Sequence, residues 1–267
     1  MTKKTIVERK YRDTWSDLTS LTDARIALGR VGSSMPTEEM LRFSYAHAKA
    51  RDAVHAQFDS KTVETGLIEL GMTVIEVRSA ATSRNVYLRR PDLGRRLAEE
   101  DRAVLSALDY PPADIVVAIA DGLSATAIHE NAVAFLQNFL PLLRKAGFSI
   151  GPAVMARNAR VAIGDEIGSM VNARLVLVLI GERPGLSAAD SLGAYLTYEP
   201  KTGRSDAERN CISNIRAAGL VPSLAAGKAF WLVREALRRG LTGVNLKEND
   251  DTNVLDGDRT DRLTDPA

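Results

Sequence analysis

Residues 175–198 read LVLVLIGERPGLSAADSLGAYLTY, and this stretch decides how the chain is interpreted. Its first six residues are all leucine, valine or isoleucine, which predicts a strand buried on both faces of a sheet. The run stops at GERPG, residues 181–185. Glycine and proline are ordinary turn residues, but a turn does not require the acid and the base between them. We predict a strand, a turn and then a helix over residues 186–198.

Strands and helices alternate on either side of this stretch. DIVVAIADGLS (114–124) is typical of a buried strand closing on a turn, and the long helical segment after it ends at Gly147. The alternation continues with strand FSIGPAVMAR (148–157), helix RVAIGDEIGSMVNA (160–173), strand RNCISNIR (209–216) and helix SLAAGKAFWLVREALRRG (223–240). Such alternation predicts an α/β fold with a parallel sheet and helices on both faces.

Parallel sheets of this kind bind ligands at the carboxyl ends of their strands, where the strand order reverses. The strand ends are Asp121-Gly122, the connection from Met155 to Val161, and GERPG. We expect all three at one edge of the sheet. The charged turn therefore lies where a ligand would bind.

The first third of the chain has a different character. TEEMLRFSYAHAKARDAVHAQF predicts a helix with Thr37 as its N-cap, MTVIEVRS a short strand, and the segment after Pro91 another helix up to Leu108. Residues from Lys247 onward are acidic, polar and aperiodic. We divide the chain into a mostly helical N-terminal region (1–110), an α/β domain (111–246) and a flexible tail (247–267).

Composition excludes several classes of protein. Of the 267 residues, 45% are hydrophobic and 26% charged, as in a globular protein, and the net charge of +1 gives no field to attract nucleic acid or an anionic membrane. No apolar run reaches membrane-spanning length, and no secretory signal precedes the first helix. A single cysteine excludes an internal disulfide and a cysteine-rich zinc site, and fits the cytoplasm.

Each candidate site residue has a structural alternative. The chain contains neither a dinucleotide-binding glycine fingerprint nor a phosphate-binding loop. Asp121 either caps the following helix, which we favour, or holds a polar ligand group. Glu182 and Arg183 are either a solvated pair or ligand contacts, with Gly181 and Gly185 permitting close backbone approach. Cys211 has no histidine after it, so we interpret it as a packed or ligand-contacting residue and not as a nucleophile.

Several longer stretches carry a resemblance to a known family. They are LTDARIALGRVGSSMPTEEMLRFSYAHAKARDAVH, YLRRPDLGRRL, IVVAIADGLSATAIHENA and LIGERPGLSAADSLGAYLTYEPKTGRSDAERNCISNI. In order and spacing they resemble the small subunits of ethanolamine ammonia-lyase, over residues 21–243. The resemblance implies a Rossmann-like α/β domain that binds adenosylcobalamin together with a larger TIM-barrel subunit. It also implies radical deamination of ethanolamine to acetaldehyde and ammonia, with ethanolamine contacted mostly by the large subunit.

The family's cofactor contacts fall on Val161, Glu182 and Cys211 of this sequence. The resemblance implies that Val161 contacts the corrin or its tail, that Glu182 accepts hydrogen bonds from corrin amides, and that Cys211 contacts the ring periphery. Further candidates, by position only, are Asp121, Gly122, Ser124 and Arg183. No residue of this chain is assigned a catalytic or metal-ligating role.

The chain lacks the Asp-x-His-x-x-Gly signature in which a protein histidine replaces the lower base of cobalamin. We therefore expect the cofactor to bind with its own base attached. The resemblance implies a cytoplasmic hetero-oligomer and leaves open whether it is packaged in a bacterial microcompartment. Two other interpretations stay open from the residues alone: a stand-alone module that binds a nucleotide-like ligand, and a purely structural assembly subunit.

Overall fold

A computed structural model of the chain describes residues 13–108 and 110–247. The predicted tail lies outside the described residues, apart from Lys247. Among those described, no helix is long and apolar enough to cross a bilayer.

Six strands form one sheet in the order β1-β3-β2-β4-β5-β6. They are β1 (Val74–Arg78), β2 (Ala113–Ala120), β3 (Ile150–Arg157), β4 (Ala173–Gly181), β5 (Leu192–Tyr198) and β6 (Arg209–Ile215). The first four run parallel, whereas β5 is antiparallel to both of its neighbours. The α/β class and the parallel pairing of β1 to β4 are thus confirmed, whereas the antiparallel β5 departs from the parallel sheet that we predicted.

Seven α-helices accompany the sheet. They are α1 (Thr37–His55), α2 (Ser60–Glu69), α3 (Arg84–Arg89), α4 (Glu99–Ala107), α5 (Ala125–Lys145), α6 (Ile163–Met170) and α7 (Pro222–Arg239). The described residues also form four short 3-10 helices, at Ser16–Ser20, Leu93–Arg95, Asp206–Glu208 and Gly243–Asn245. The prediction missed α2 and α3, which are short.

The central strands are apolar because both of their faces are covered. Every residue of β2 from Ile115 to Ala120 is completely buried, and β4 pairs with it in register from Ala173 to Ile180. Alternate side chains of β4 pack into two separate apolar clusters, one on each side of the sheet. Helices on both faces are therefore confirmed.

One side of the sheet is closed by long helices. α5 begins after Ser124, whose side chain accepts the N–H of Ala127, and its C-terminal turn is ended by Gly147 at φ +78°. α5 and α7 pack against each other and cover the larger apolar cluster, which includes the fully buried Phe135 and Phe139. This side is sealed along its length by apolar packing.

The predicted helix over residues 186–198 is wrong. Leu192, Ala194 and Leu196 join the larger apolar cluster, whereas Gly193 and Tyr195 alternate with them toward the other side. This period of two is the strand period, and the hairpin pairs Gly181 with Leu192. The small residues of LSAAD resemble a helix start, but they form the connection of an antiparallel hairpin.

The N-terminal region is partly joined to the same sheet. The predicted strand in MTVIEVRS is confirmed as β1, which pairs with β3 at one edge. Thr37 is the first residue of α1 and not its N-cap, because Pro36 occupies the cap and makes no side-chain cap bond. The division at residue 110 stays a prediction.

The opposite edge strand, β6, is covered by the end of the described chain. Asn210 donates through its side-chain amide to the carbonyls of Gly243 (3.2 Å) and Leu246 (2.8 Å), and its side-chain oxygen accepts the N–H of Gly243 at 2.8 Å. Residues 243–246 therefore lie against this edge.

Candidate functional site

The three predicted strand ends meet at one edge of the sheet. Register places Ala156 of β3 beside Ala120 of β2, and Ala120 beside Ile180 of β4. The connections after β2, β3 and β4 therefore leave the sheet at the same level. This confirms the expected edge, with GERPG at its β4 end.

The glycine that opens GERPG is required by the protein itself. A Cβ on Gly181 would lie 2.0 Å from the carbonyl oxygen of Ser124, and one on Gly122 would lie 2.2 Å from the carbonyl oxygen of Gly181. The connections after β2 and β4 thus pack backbone against backbone. A Cβ on Gly185 would meet nothing closer than 3.8 Å. Close approach of a ligand is not needed to explain either glycine.

Glu182 is held in place by the β5–β6 hairpin. Its carboxylate accepts from the hydroxyls of Ser191 and Ser213, each at 2.6 Å, and from the backbone N–H of Asn214 at 3.2 Å. Its own N–H donates to the carbonyl of Ser191 at 3.0 Å. Gly193 leaves the necessary space, since a Cβ there would lie 3.0 Å from Oε1 of Glu182. Glu182 is therefore a fixed acceptor and not a solvated turn residue.

Cys211 lies inside β6, which confirms the strand predicted over residues 209–216, and not in one of the connections at the sheet edge. It pairs across the sheet with Tyr195, which pairs in turn with Val178 of β4. This position is three residues back from the end of β4, or about 10 Å at the rise of a strand. The candidate site therefore extends inward from the edge over the face of the sheet.

Tyr195 connects Glu182 with Cys211, and the sequence did not single it out. Its side chain interacts with the thiol of Cys211, and its ring lies against the position of Gly193. Burial, this interaction and the charge of Glu182 together raise the pKa of Tyr195. Cys211 is an exposed residue, but neighbouring atoms partly withdraw its thiol from water, and this and the nearby carboxylate of Glu182 raise the pKa of the thiol, while Tyr195 acts in the opposite direction. Both groups are neutral at physiological pH.

Val161 occupies the turn that leads into α6. It is partly buried and packs against the smaller apolar cluster, which Tyr195 also contacts. Val161 is thus on the same side of the sheet as Tyr195.

A buried ion pair connects α6 with β6 beneath this surface. Arg209 donates to both carboxylate oxygens of Asp165, at 2.6 and 2.7 Å, and to the hydroxyl of Thr197 at 2.9 Å. Arg209 and Asp165 are both almost fully buried. Since Arg209 precedes Cys211 by two residues on the same strand face, this pair fixes α6 relative to the candidate site.

The further candidates have diverse environments. Asp121 does not cap α5, because Ser124 does; it accepts the N–H of Ala159 at 3.2 Å and pairs with Arg84 at 3.6 Å. Gly122 is used in the backbone packing described above. Arg183 is exposed and makes no hydrogen bond or ion pair within the described residues. The same residues contain no cluster of three histidine, cysteine or acidic side chains that could hold a metal ion.

The family model for the ethanolamine ammonia-lyase light chain matches residues 12–247. The chain belongs to this family. The family resemblance carried by the quoted stretches is therefore confirmed over most of the sequence.

Individual relatives agree over nearly their full length. The ethanolamine ammonia-lyase small subunit of Rhodopseudomonas palustris is 53% identical over 93% of this chain and 94% of its own. That of Xanthomonas campestris is 50% identical over 92% of both chains, and that of Pseudomonas paraeruginosa 46% identical over 97% and 96%. Each of these relatives carries the name of a small subunit of ethanolamine ammonia-lyase.

Proposed function

We propose that this small subunit binds one side of adenosylcobalamin on the sheet face formed by Tyr195, Cys211 and Glu182, with Val161 at its margin. The large subunit completes the enzyme and holds most of the substrate site. The overall reaction is the deamination of ethanolamine to acetaldehyde and ammonia. Family membership and the open polar face support this proposal. The observation that carries it is the fixed carboxylate of Glu182 beside two neutral polar side chains.

The hydrogen-bonding groups of this face match the periphery of a corrin ring, which carries amide side chains. An ionised carboxylate offers about four acceptor positions, and Glu182 uses three of them on Ser191, Ser213 and Asn214. One position is left for an amide N–H of a ligand. Hydroxyl oxygens of the two serines are additional acceptors.

Tyr195 and Cys211 suit a large neutral ligand. Their raised pKa values keep both groups uncharged, so a ring lying over them meets no buried charge. A protonated thiol is a poor nucleophile, which agrees with a contact role for Cys211. Val161 adds apolar surface at the start of α6, where the first N–H groups of a helix lack intrahelical partners.

When bound, adenosylcobalamin supplies the radical chemistry through homolysis of its cobalt–carbon bond. The residues of this chain bind and orient the cofactor and take no part in bond making. Rigid support is provided by the Arg209–Asp165 pair and by the hairpin that holds Glu182. Because the cofactor carries its own lower base, no histidine of this chain is needed as a cobalt ligand.

The burial pattern of helix α1 is evidence for a partner subunit, because the helix exposes large apolar side chains and buries small ones. Toward α5 it buries only Ala46 and Ala53. On the opposite side of the helix, Met40, Leu41 and Tyr45 are 53, 61 and 67% exposed. A helix of a monomeric protein buries its large apolar residues and exposes its small ones. We propose that the large subunit covers this surface.

The test is co-expression with the large subunit, followed by measurement of cobalamin binding by absorbance and of cobalamin-dependent acetaldehyde formation. Glu182→Gln should weaken cobalamin binding by about tenfold, because a charge-assisted hydrogen bond is worth about 1.5 kcal/mol or more. Glu69→Gln removes the same charge from an exposed position on α2 and should change nothing.

Two results would contradict the proposal. Full activity of the small subunit alone would rule out a role as one component of a complex. Cobalamin binding unchanged by both Glu182→Gln and Cys211→Ala, in an intact complex, would rule out this face as the cofactor site and favour a purely structural subunit.

A further inference from the structure

An unbalanced positive charge lies at the same edge of the sheet, beyond the residues assigned above. Arg160 directly precedes Val161, and no hydrogen bond or ion pair of its guanidinium is found within the described residues. Its Nε is completely buried without a partner. An arginine that is partly withdrawn from water usually has an anionic partner, because burying an unpaired charge is costly.

Arg160 is held in a defined place. Its guanidinium carbon stacks 4.3 Å from the ring centroid of Tyr87, which has no exposed surface. Its backbone N–H donates to the carbonyl of Gly94 at 2.7 Å. A Cβ on Gly94 would lie 3.0 Å from Cγ of Arg160 and 3.0 Å from the Tyr87 ring. The absence of a side chain at Gly94 thus lets this segment clamp the arginine against the ring.

The neighbouring charges do not neutralise Arg160. Arg84 also stacks on Tyr87, at 4.9 Å, but it is bonded to the carbonyls of Val54 and Gly122 and lies 3.6 Å from Asp121. Two arginines and one carboxylate leave a charge of +1. Burial raises the pKa of Asp121, and its protonation would enlarge this imbalance.

The unsatisfied atoms of the cluster can all donate. Besides Nε of Arg160, Nη2 of Arg84 and the hydroxyl of Tyr87 are buried without a hydrogen-bond partner in the described residues. Burial raises the pKa of Tyr87 to about 12, so its hydroxyl keeps its proton. A donor-rich group with one surplus positive charge is suited to a singly charged oxyanion.

We propose that Arg160, stacked on Tyr87, binds the phosphodiester of the cobalamin nucleotide loop. The inference rests on the proposed cofactor site and extends it. A phosphodiester carries one negative charge, which matches the surplus of the cluster. Arg160 follows β3 and Glu182 follows β4, two strand spacings or about 10 Å apart. The nucleotide loop hangs from the corrin ring and is long enough to reach across this separation.

The experiment compares two ligands that differ only in this loop. Binding of cyanocobalamin and of cyanocobinamide, which lacks the nucleotide loop and its phosphate, is measured by absorbance in the complex with the large subunit. Arg160→Met keeps an apolar chain on Tyr87 but removes the charge. We expect it to weaken cyanocobalamin by about tenfold or more and cyanocobinamide by less than about twofold.

Further variants separate charge from structure. Arg160→Lys should retain part of the preference for cyanocobalamin, because it keeps the charge but not the planar group. Arg95→Met is the matched control, since Arg95 is exposed next to Gly94. Inorganic phosphate should compete with cyanocobalamin and not with cyanocobinamide in the natural protein.

The outcomes distinguish a failure of phosphate binding by Arg160 from a failure of the proposed cofactor site. If Arg160→Met weakens both ligands equally, or neither, Arg160 does not bind the phosphate and the inference is overturned. If the natural complex binds neither ligand, the proposed cofactor site itself is wrong. A loss of thermal stability in Arg160→Met with an unchanged ratio of the two affinities would assign Arg160 to the fold alone.

Discussion

The two faces of the sheet are built on opposite principles. On one face α5 and α7 cover the strands with leucine, phenylalanine and alanine, and the interior is closed. On the other face α6 packs chiefly on β4, and the β5–β6 end is left with Tyr195, Cys211 and Ser213. Both faces belong to the same six strands, so the difference comes from alternate residues of each strand.

This difference separates stability from binding. The closed face supplies the apolar burial that folds the domain. The open face carries polar contacts, among them the buried ion pair between Arg209 and Asp165. Substitutions on the two faces should therefore change different measured quantities.

The largest effect should come from the place where the connections after β2 and β4 pack backbone against backbone, because both faces of the sheet depend on it. Gly181→Ala places a Cβ at 2.0 Å from a carbonyl oxygen, with backbone and not a movable side chain in the way. We expect a loss of more than about 3 kcal/mol in the free energy of unfolding, or no folded protein. Urea denaturation measures it. Gly185→Ala, in the same turn, should change stability by less than about 0.5 kcal/mol; equal effects would contradict the close packing.

A truncation on the closed face should be nearly as damaging. Phe135→Ala removes a fully buried ring and should cost about 3–5 kcal/mol of unfolding free energy. Cys211→Ala on the open face should stay within about 0.5 kcal/mol. Denaturation of the two variants under identical conditions checks this. Similar losses of unfolding free energy in both variants would contradict the proposed difference between the two faces.

Breaking the ion pair tests how far the open face depends on its buried charges. Asp165→Ala leaves Arg209 buried without its carboxylate and should cost about 3 kcal/mol. Because the pair fixes α6 relative to β6, cobalamin binding should weaken as well. Thermal unfolding and absorbance titration measure the two effects. Exposed Asp92→Ala provides the comparison, since its pair with Arg90 is solvated.

The smallest effect concerns the charge environment of the one cysteine. Alkylation by iodoacetamide reports only Cys211, and it should rise at a pH above that of an ordinary thiol, because burial and Glu182 raise the pKa of Cys211. Glu182→Gln removes a negative charge and should shift the rate profile to lower pH. Tyr195→Phe removes the opposing interaction and should shift it to higher pH. If neither variant shifts the profile, Glu182 and Tyr195 do not influence the pKa of the Cys211 thiol.

Much of the fold could be predicted from the sequence. The strand at 113–120, the helix after it and the shared edge follow from apolar runs ended by Asp121, Gly147 and Gly181. β5 could not be predicted in this way, because its small residues fit a helix as well as a strand. Only pairing with β4 decides between the two periods.

Less of the candidate site could be predicted from the sequence. Glu182 is fixed by Ser213 and Asn214, which are 31 and 32 residues away, and that contact depends on the register of two antiparallel strands. Arg160 and Tyr87 meet across 73 positions of sequence through the return of β3 beside β1. Tyr195 could have been suspected from its alternation with Leu196, had the strand period been recognised.

The segment at residues 243–246 also bears on whether the edge strand β6 can pair with a strand of another chain. An uncovered edge strand offers its free N–H and C=O groups to any other strand and is a common start of aggregation. Here the side chain of Asn210 holds residues 243–246 against β6, so the chain itself occupies part of this edge.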